Sequence, residues 1–327
     1  MIVVTGGTGH LGNALLHALA AEGTADVRAL VRRGRSAAAI AGLGFEIVDA
    51  DVRDYESLVR AFRGADVVYH VAGVVSIAGT GLKRLRETNV EGTRNVIAAC
   101  REVGVRRLVY TSSVHAFVEP PLGTYLLETC DIDPERVRGP YARTKAEATQ
   151  LVLAAGREGM DVVIGFPSGI IGPYDARPSH MGQLMLDCAT GHLPASVRGA
   201  YDFVDVRDVA RGLIAAAKGG RSGEGYILSG HRVTIEGLLR AVEVITGVPV
   251  PRLCLPLGFA KAVSVFMPAY YGVRRQQPRF TTYSLHVVSS NSLISHEKAE
   301  MELGVSPRPF EETVRDGLQW FREQGML

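Results

Sequence analysis

Eight residues near the start of the chain constrain its fold most. Thr5-Gly-Gly-Thr-Gly-His-Leu-Gly12 follows the apolar run Ile2-Val3-Val4 and opens a helical pattern. Within it, Gly7, Gly9 and Gly12 satisfy G-x-G-x-x-G, and Gly6, Gly9 and Gly12 satisfy T-G-x-x-G-x-x-G. Glycines so placed permit a tight turn, close approach of backbone to a pyrophosphate, and close packing of helix on strand. The helix start then offers free N–H groups and a positive dipole end to phosphates. A glycine pattern alone is weak evidence. This one has the strand before it, the helix after it and the position of a first crossover.

Short apolar runs rich in Val and Ile recur at 2–5, 27–31, 45–48, 67–71, 107–111 and 161–166. Most are apolar on both faces, as strands buried in a parallel sheet should be. Helical patterns lie between them. At 11–22, Leu11, Ala14, Leu15, Ala18 and Leu19 form one stripe, and 88–103 and 141–157 read likewise. The alternation specifies an α/β fold with a doubly wound parallel Rossmann sheet. The second half is less regular, with helices expected at 181–191, 208–218, 234–246 and 309–324. A short strand and a short apolar helix are expected within 247–272. The expected division is a dinucleotide-binding domain over 1–166 and a smaller, mixed substrate domain over 167–327, with part of 200–230 packing back on the first.

Several classes can be set aside. Lys and Arg (36) nearly balance Asp and Glu (34), which gives no reason to invoke nucleic acid as a partner. No apolar run reaches the ~18 residues of a membrane span, and the first residues lack the basic start of a signal peptide. Cys100, Cys130, Cys188 and Cys254 are far apart and form no C-x-x-C pair. No disulfide scaffold or metal site is expected, and a reducing cytoplasm fits best.

The end of the second strand decides between cofactors. A carboxylate there would bond the ribose 2′-hydroxyl of NAD, whereas Arg accommodates the 2′-phosphate of NADP. Here the run leads into Arg32-Arg33-Gly34-Arg35. Guanidiniums suit phosphate, so NADP(H) is the expected cofactor, with NAD(H) as the alternative. A solvated basic loop is the bland reading.

Tyr141-Ala-Arg-Thr-Lys145 places Tyr and Lys on one face of a helix. A neighbouring ammonium favours the phenolate and should lower the phenol's pKa from about 10. Ser112 and Ser113 end the fifth run, at the carboxyl edge where open α/β sheets collect ligands. Taken alone, Y-x-x-x-K is commonly a surface pair. Its place after the dinucleotide pattern, with serines on the intervening strand, makes it specific.

In this order and spacing the motifs resemble an extended short-chain dehydrogenase/reductase of the dihydroflavonol reductase-like group. The carrying stretches are 5–12, 27–33, 51–52, 70–73, 89–96, 111–113, 141–145, 167–173 and 202–209. The resemblance implies Ser113, Tyr141 and Lys145 as the catalytic set, with Lys145 also binding the nicotinamide ribose. It implies a cofactor set of Gly6, Thr8, Gly9, His10, Leu11, Gly12, Arg32, Arg33, Asp51, Val52, Val71, Ala72, Gly73, Asn89, Thr111, Tyr141, Lys145, Pro167, Gly169 and Ile170. Asp51 and Val52 would sit at the adenine, and Pro167 and its successors at the nicotinamide. His10 reads as a spacer at the helix start and His70 as a satisfied core histidine. His115 and Tyr125 are substrate candidates, though a packed loop histidine is the simpler reading of His115. The resemblance also allows a homodimer through 88–103 and 141–157.

The implied reaction is hydride transfer between cofactor and a carbonyl or alcohol of a small molecule, with Tyr141 as acid/base. A nucleotide-sugar epimerase or dehydratase on the same fold is the alternative. Against it stand Arg32, Ser168-Gly169 and Val114-His115-Ala116, where such enzymes carry an acid, an Asn and an Asp-Glu pair. A non-enzymatic NADP-binding regulator would be expected to lack the Tyr/Lys pair. The apolar density of 253–271, from Leu253 to Tyr271, reads as core, or as a lid over a steroid-like or aromatic substrate.

Overall fold

The computed structural model describes residues 1–76, 81–251, 253–264 and 282–327. Its first six strands are β1 (Ile2–Thr5), β2 (Val27–Val31), β3 (Glu46–Asp49), β4 (Val67–His70), β5 (Arg107–Thr111) and β6 (Val162–Pro167). Then follow β7 (Gly169–Ile171), β8 (Ser196–Val197) and β9 (Ala200–Asp205), before β10 (Gly225–Leu228) returns to pair with β6. The resulting sheet is parallel throughout, in the order β3-β2-β1-β4-β5-β6-β10. β4 and β6 are buried along their whole length, which is why they read as unbroken apolar runs. β11 (His231–Thr234) pairs antiparallel with β9, and β9 pairs parallel with β7, giving a second, mixed sheet of three strands. The architecture is thus the doubly wound one expected, with a smaller mixed part.

Helices cover both faces of the large sheet. On one side α1 (His10–Ala21) packs through Leu15 and Leu19 with the later helix at Val206–Gly219. α2 (Ala38–Ala41) packs on that same side through Ile40, while on the other α3 (Tyr55–Phe62) brings Leu58 and Phe62 into the second core cluster. α4 (Leu82–Arg86) runs through a π-helical turn at Glu87–Glu91 into α5 (Gly92–Val103), beside which lies α6 (Pro140–Arg157). A continuous helix at 88–103 was expected. The π turn is the difference, and such turns recur at functional sites.

The C-terminal half adds α7 (His180–Ala189), α8 (Val206–Gly219), α9 (Ile235–Thr246), α10 (Leu257–Ser264), α11 (Thr282–Ser289), α12 (Glu297–Leu303) and α13 (Phe310–Glu323). A third core cluster joins α7, α9 and α13 over β9 through Met185, Leu238, Phe203 and Val314. The short strand expected within 247–272 is β12 (Cys254–Leu255), paired with β8, and the short helix is α10. Of the apolar lid candidates, Leu253 and Phe259 are exposed. Val265, Phe266, Met267, Tyr270 and Tyr271 lie outside the described residues. Among the described residues no helix is long and apolar enough to cross a membrane.

Candidate active site

The strand order reverses between β2-β1 and β4-β5, and the glycine loop leaves β1 at this switch point. Gly6 has φ +73°, and a Cβ there would come within 2.8 Å of the Ala72 backbone. A Cβ on Gly12 would come within 2.2 Å of the Gly6 carbonyl oxygen. Loop, strand end and helix are therefore packed closer than side chains allow. Gly9, the N-cap of α1, makes no side-chain cap, and the first turn of α1 holds no acid. By contrast Asp54, Ser179, Asp205 and Thr234 cap α3, α7, α8 and α9. The first-turn N–H groups of α1 are thus left for an external acceptor.

His10 does more than space the loop. Its Nε2 donates to the Pro173 carbonyl at 2.9 Å, and Asn13 donates to the Tyr174 carbonyl at 3.1 Å. Arg177 reaches the Thr8 hydroxyl at 3.4 Å. The segment after β7 is thereby tied across the glycine loop, and Arg177 enters the site without any signal in local sequence spacing. Leu11 is buried in the core beneath the loop.

At the far end of the groove, Val52 is buried and Arg53 bonds both oxygens of Asp51 at 3.1 and 2.7 Å. Those bonds hold the Asp51 carboxyl below its usual range. Arg32 is half-buried, within electrostatic reach of Arg35, Asp51, Arg84 and Arg53. Arg33 is exposed and lies 3.6 Å from Asp49.

His70 is fully buried between two hydroxyls, as a satisfied core histidine should be. Its Nδ1 lies 2.9 Å from Thr5 Oγ1, and its Nε2 3.0 Å from Thr93 Oγ1. Thr93 gives its own hydrogen to the Asn89 carbonyl, so it accepts from Nε2–H. Nδ1 then accepts from Thr5, whose oxygen in turn receives the N–H groups of Val71 and Ala72. Asn89 lies in the π turn and grips both the N–H and the carbonyl of Val74, while its second amide hydrogen goes to Thr144. Both amide hydrogens of this cofactor candidate are thus used inside the protein. It fixes the strand end carrying Gly73 against α6.

Ser112 donates to Thr149, which passes its own hydrogen to the Lys145 carbonyl. That leaves Ser113, whose hydroxyl accepts the His115 N–H at 3.3 Å and lies close enough to the Tyr141 phenol to lower its pKa. Lys145 is 6% exposed and donates to the Thr111 carbonyl at 2.7 Å. The Thr111 hydroxyl beside it is buried without a partner. Burial pushes Lys145 down to about 7. Burial also pushes Tyr141 up to about 12, against the lowering from Ser113. The expected depression of Tyr141 by Lys145 is therefore reversed. Desolvation of the phenolate dominates, and Lys145 is not among the groups that act on it. Pro167 ends β6 here, and Gly169 and Ile170 begin β7. A Cβ on Gly169 would lie 2.8 Å from the Tyr201 ring.

Beside Ala142 opens a cavity of about 230 Å³ with mixed walls: Phe117, Leu126, Val137, Val287 and Ile294 are apolar, while Glu119, Arg136, Arg138, Ser290 and Asn291 bring polar and charged groups. His115 lines it, in a T-shaped contact with Tyr141 at 6.2 Å, and meets the Tyr201 hydroxyl at 2.8 Å. Tyr283 and His286 enter from α11. Tyr125 is 55% exposed and is not part of this wall; its neighbour Leu126 is. Tyr201, Tyr283 and His286 were not anticipated. They lie far from the motifs in sequence, and nothing local marks them.

Residues 2–229 match the NAD dependent epimerase/dehydratase family. The chain is 37% identical over 333 residues, spanning 99% of each protein, to sterol demethylase protein B of Methylococcus capsulatus. It is 30% identical to the 4-hydroxy-2-methyl-3-oxo-4-farnesyl-3,4-dihydroquinoline-1-oxide ketoreductase of Stigmatella aurantiaca, over 98% of this chain and 96% of that one. The crystal structure of gox2253 shares the fold with a TM-score of 0.88 at 34% identity, covering 100% of this chain and 99% of that chain. A glycine-built phosphate turn, a buried Ser-Tyr-Lys cluster and full-length likeness to reductases thus converge, and the chain belongs to the NAD dependent epimerase/dehydratase family, as an oxidoreductase of the extended short-chain dehydrogenase/reductase type.

Proposed function

We propose that this enzyme interconverts a ketone or aldehyde and the corresponding alcohol on an apolar frame, sterol-like or aromatic, with NADP(H) as its cofactor. The observation that carries the reading is the clustering of Tyr141, Ser113 and Lys145 next to a cavity with an apolar side of Phe117, Leu126, Val137, Val287 and Ile294. The names of the relatives, a sterol demethylase protein and a ketoreductase, agree with it.

The residues fit a dinucleotide. The tight loop at Gly6 and Gly12 and the uncapped start of α1 suit a pyrophosphate, with Arg177 as a further cation. Val71, Ala72 and Gly73 line the path onward, and Lys145 with Thr111 would meet the ribose. Asp51 is already bonded by Arg53, while Arg32 stands among other guanidiniums, which favours a 2′-phosphate over a bare hydroxyl.

Bound NADP(H) supplies or accepts the hydride. Tyr141, a neutral phenol at physiological pH, gives its proton to the substrate oxygen as negative charge develops there. Ser113 hydrogen-bonds the same oxygen. Lys145, held by the Thr111 carbonyl, stabilises the phenolate left behind. A proton already in place favours the reductive direction near neutrality. Tyr141→Phe should lower kcat by at least ~10³-fold, on the scale of general-acid catalysis, and leave NADPH binding unchanged in a fluorescence titration. Retained turnover would refute the assignment.

A nucleotide-sugar epimerase is the second reading. It is favoured by Arg138, which lines the cavity without an ion-pair partner among the described residues and could meet a diphosphate. Net consumption of NADPH separates the two, because an epimerase returns its hydride to the substrate.

A further inference from the structure

The reaction proposed above leaves three polar rings at the same cavity without a task. They are His115, Tyr201 and Tyr283. Two of them satisfy each other. His115 Nε2 and the Tyr201 hydroxyl are 2.8 Å apart, and the rings stack at 5.9 Å. Burial pushes His115 down to about 4 and the Tyr201 phenol well up. The pair is uncharged at physiological pH.

Tyr283 differs. Its hydroxyl is buried and has no hydrogen-bond partner. Buried hydroxyls are normally paired, and an orphan needs a reason. The ring itself is held firmly. Its edge packs against Gly139, where a Cβ would come within 2.6 Å of it, and Gly139 has φ +91°, a conformation that favours glycine. Gly139 is two residues from Tyr141 in sequence. The rings of Tyr141 and Tyr283 stand at 6.2 and 6.1 Å from the His115 ring. A second phenol is therefore fixed beside the catalytic one, at the same cavity, with an unspent donor and acceptor. His286 is the nearest charge-bearing group on α11, and it already faces Glu119 at 3.6 Å.

We propose that Tyr283 is a specificity-determining residue that hydrogen-bonds a second, uncharged oxygen of the substrate. That oxygen is a hydroxyl or carbonyl on a carbon close to the one that exchanges hydride, and the neutral His115–Tyr201 pair forms the wall behind it. A neutral oxygen matches the uncharged rings beside Tyr283, whereas a carboxylate would be repelled by Glu119 and would select the Arg136 and Arg138 side of the cavity. The inference rests on the reading of the cavity as the substrate site.

The test compares two ketones with one apolar frame, one carrying a hydroxyl on the carbon next to the carbonyl and one without it. Tyr283→Phe keeps the ring packed on Gly139 and removes only the hydroxyl. The wild type should prefer the hydroxylated ketone. The variant should lose about tenfold in kcat/KM for that ketone, the value of one hydrogen bond. For the plain ketone it should stay within about twofold, with NADPH affinity unchanged. Equal losses on both ketones, or a wild type indifferent to the hydroxyl, would overturn the inference while the proposed reaction stands. If the wild type turns over neither ketone, nor the matching alcohols in reverse, the proposed reaction falls and the inference falls with it.

Discussion

His70 is neutral because its neighbours allow nothing else. Thr93 must accept from Nε2 and Thr5 must donate to Nδ1, and burial pushes the ring down to about 3. Unfolded, a histidine titrates near 6.5. Below that pH the unfolded chain binds a proton that the folded chain refuses. Stability therefore falls as pH drops from 6.5 towards the folded value, by up to ~1.4 kcal/mol per pH unit for this ring. His115, held near 4, adds to the same slope. His70→Gln should lower stability at pH 7 by about 1–3 kcal/mol and make the decline between pH 6.5 and 4 shallower, as read from urea midpoints. An unchanged slope would contradict the assignment. At this scale the sequence told unevenly. A buried, satisfied His70 could be read from its place at the end of an apolar run. Its partners Thr5 and Thr93 could not, since they come together only when β1, β4 and α5 pack. The pKa of Tyr141 was misjudged because the sequence shows a lysine four residues away but not the depth at which both are buried.

Among elements, α1 carries the clearest division of labour. α3, α7, α8 and α9 start on a capping side chain, as α8 does on Asp205. α1 starts on Gly9 without one. Gly12→Ala would drive a methyl group into the Gly6 carbonyl, an atom that cannot move without the loop. We expect a stability cost of about 1–3 kcal/mol from overpacking, seen as a lower thermal midpoint. NADPH affinity should fall at least tenfold because the loop must open. A variant of normal affinity would show that the loop is not the phosphate site. The long elements of the first half were legible because strands buried on both faces and amphipathic helices have distinct periods. β7, β9 and β11 were not. β7 and β11 are only three and four residues long, and β7 follows β6 with no helix between them. The π turn at Glu87–Glu91 was also hidden, because its sequence continues the helical stripe.

For the whole molecule, the chain's second half does not stand apart from its first. β10 and α8 complete the large sheet and its cover, His10 and Arg177 tie the segment after β7 to the glycine loop, and α11 brings Tyr283 onto Gly139. The proposed cofactor half of the site was readable from motifs, each local to one strand end or helix start. The proposed substrate half was not, because its walls come from 114–142, Tyr201 and 283–294, which only the folded chain assembles. The proposed function stands on a net hydride transfer between NADP(H) and an apolar carbonyl compound. It is tested most directly by supplying NADPH deuterated at the transferable position, with deuterated NADH in parallel, to the enzyme and an apolar hydroxyketone, and weighing the product by mass spectrometry. The expected result is an alcohol carrying one deuterium on the carbinol carbon, formed faster from NADPH than from NADH. A product without deuterium, or sugar nucleotides epimerised with no cofactor consumed, would contradict the account.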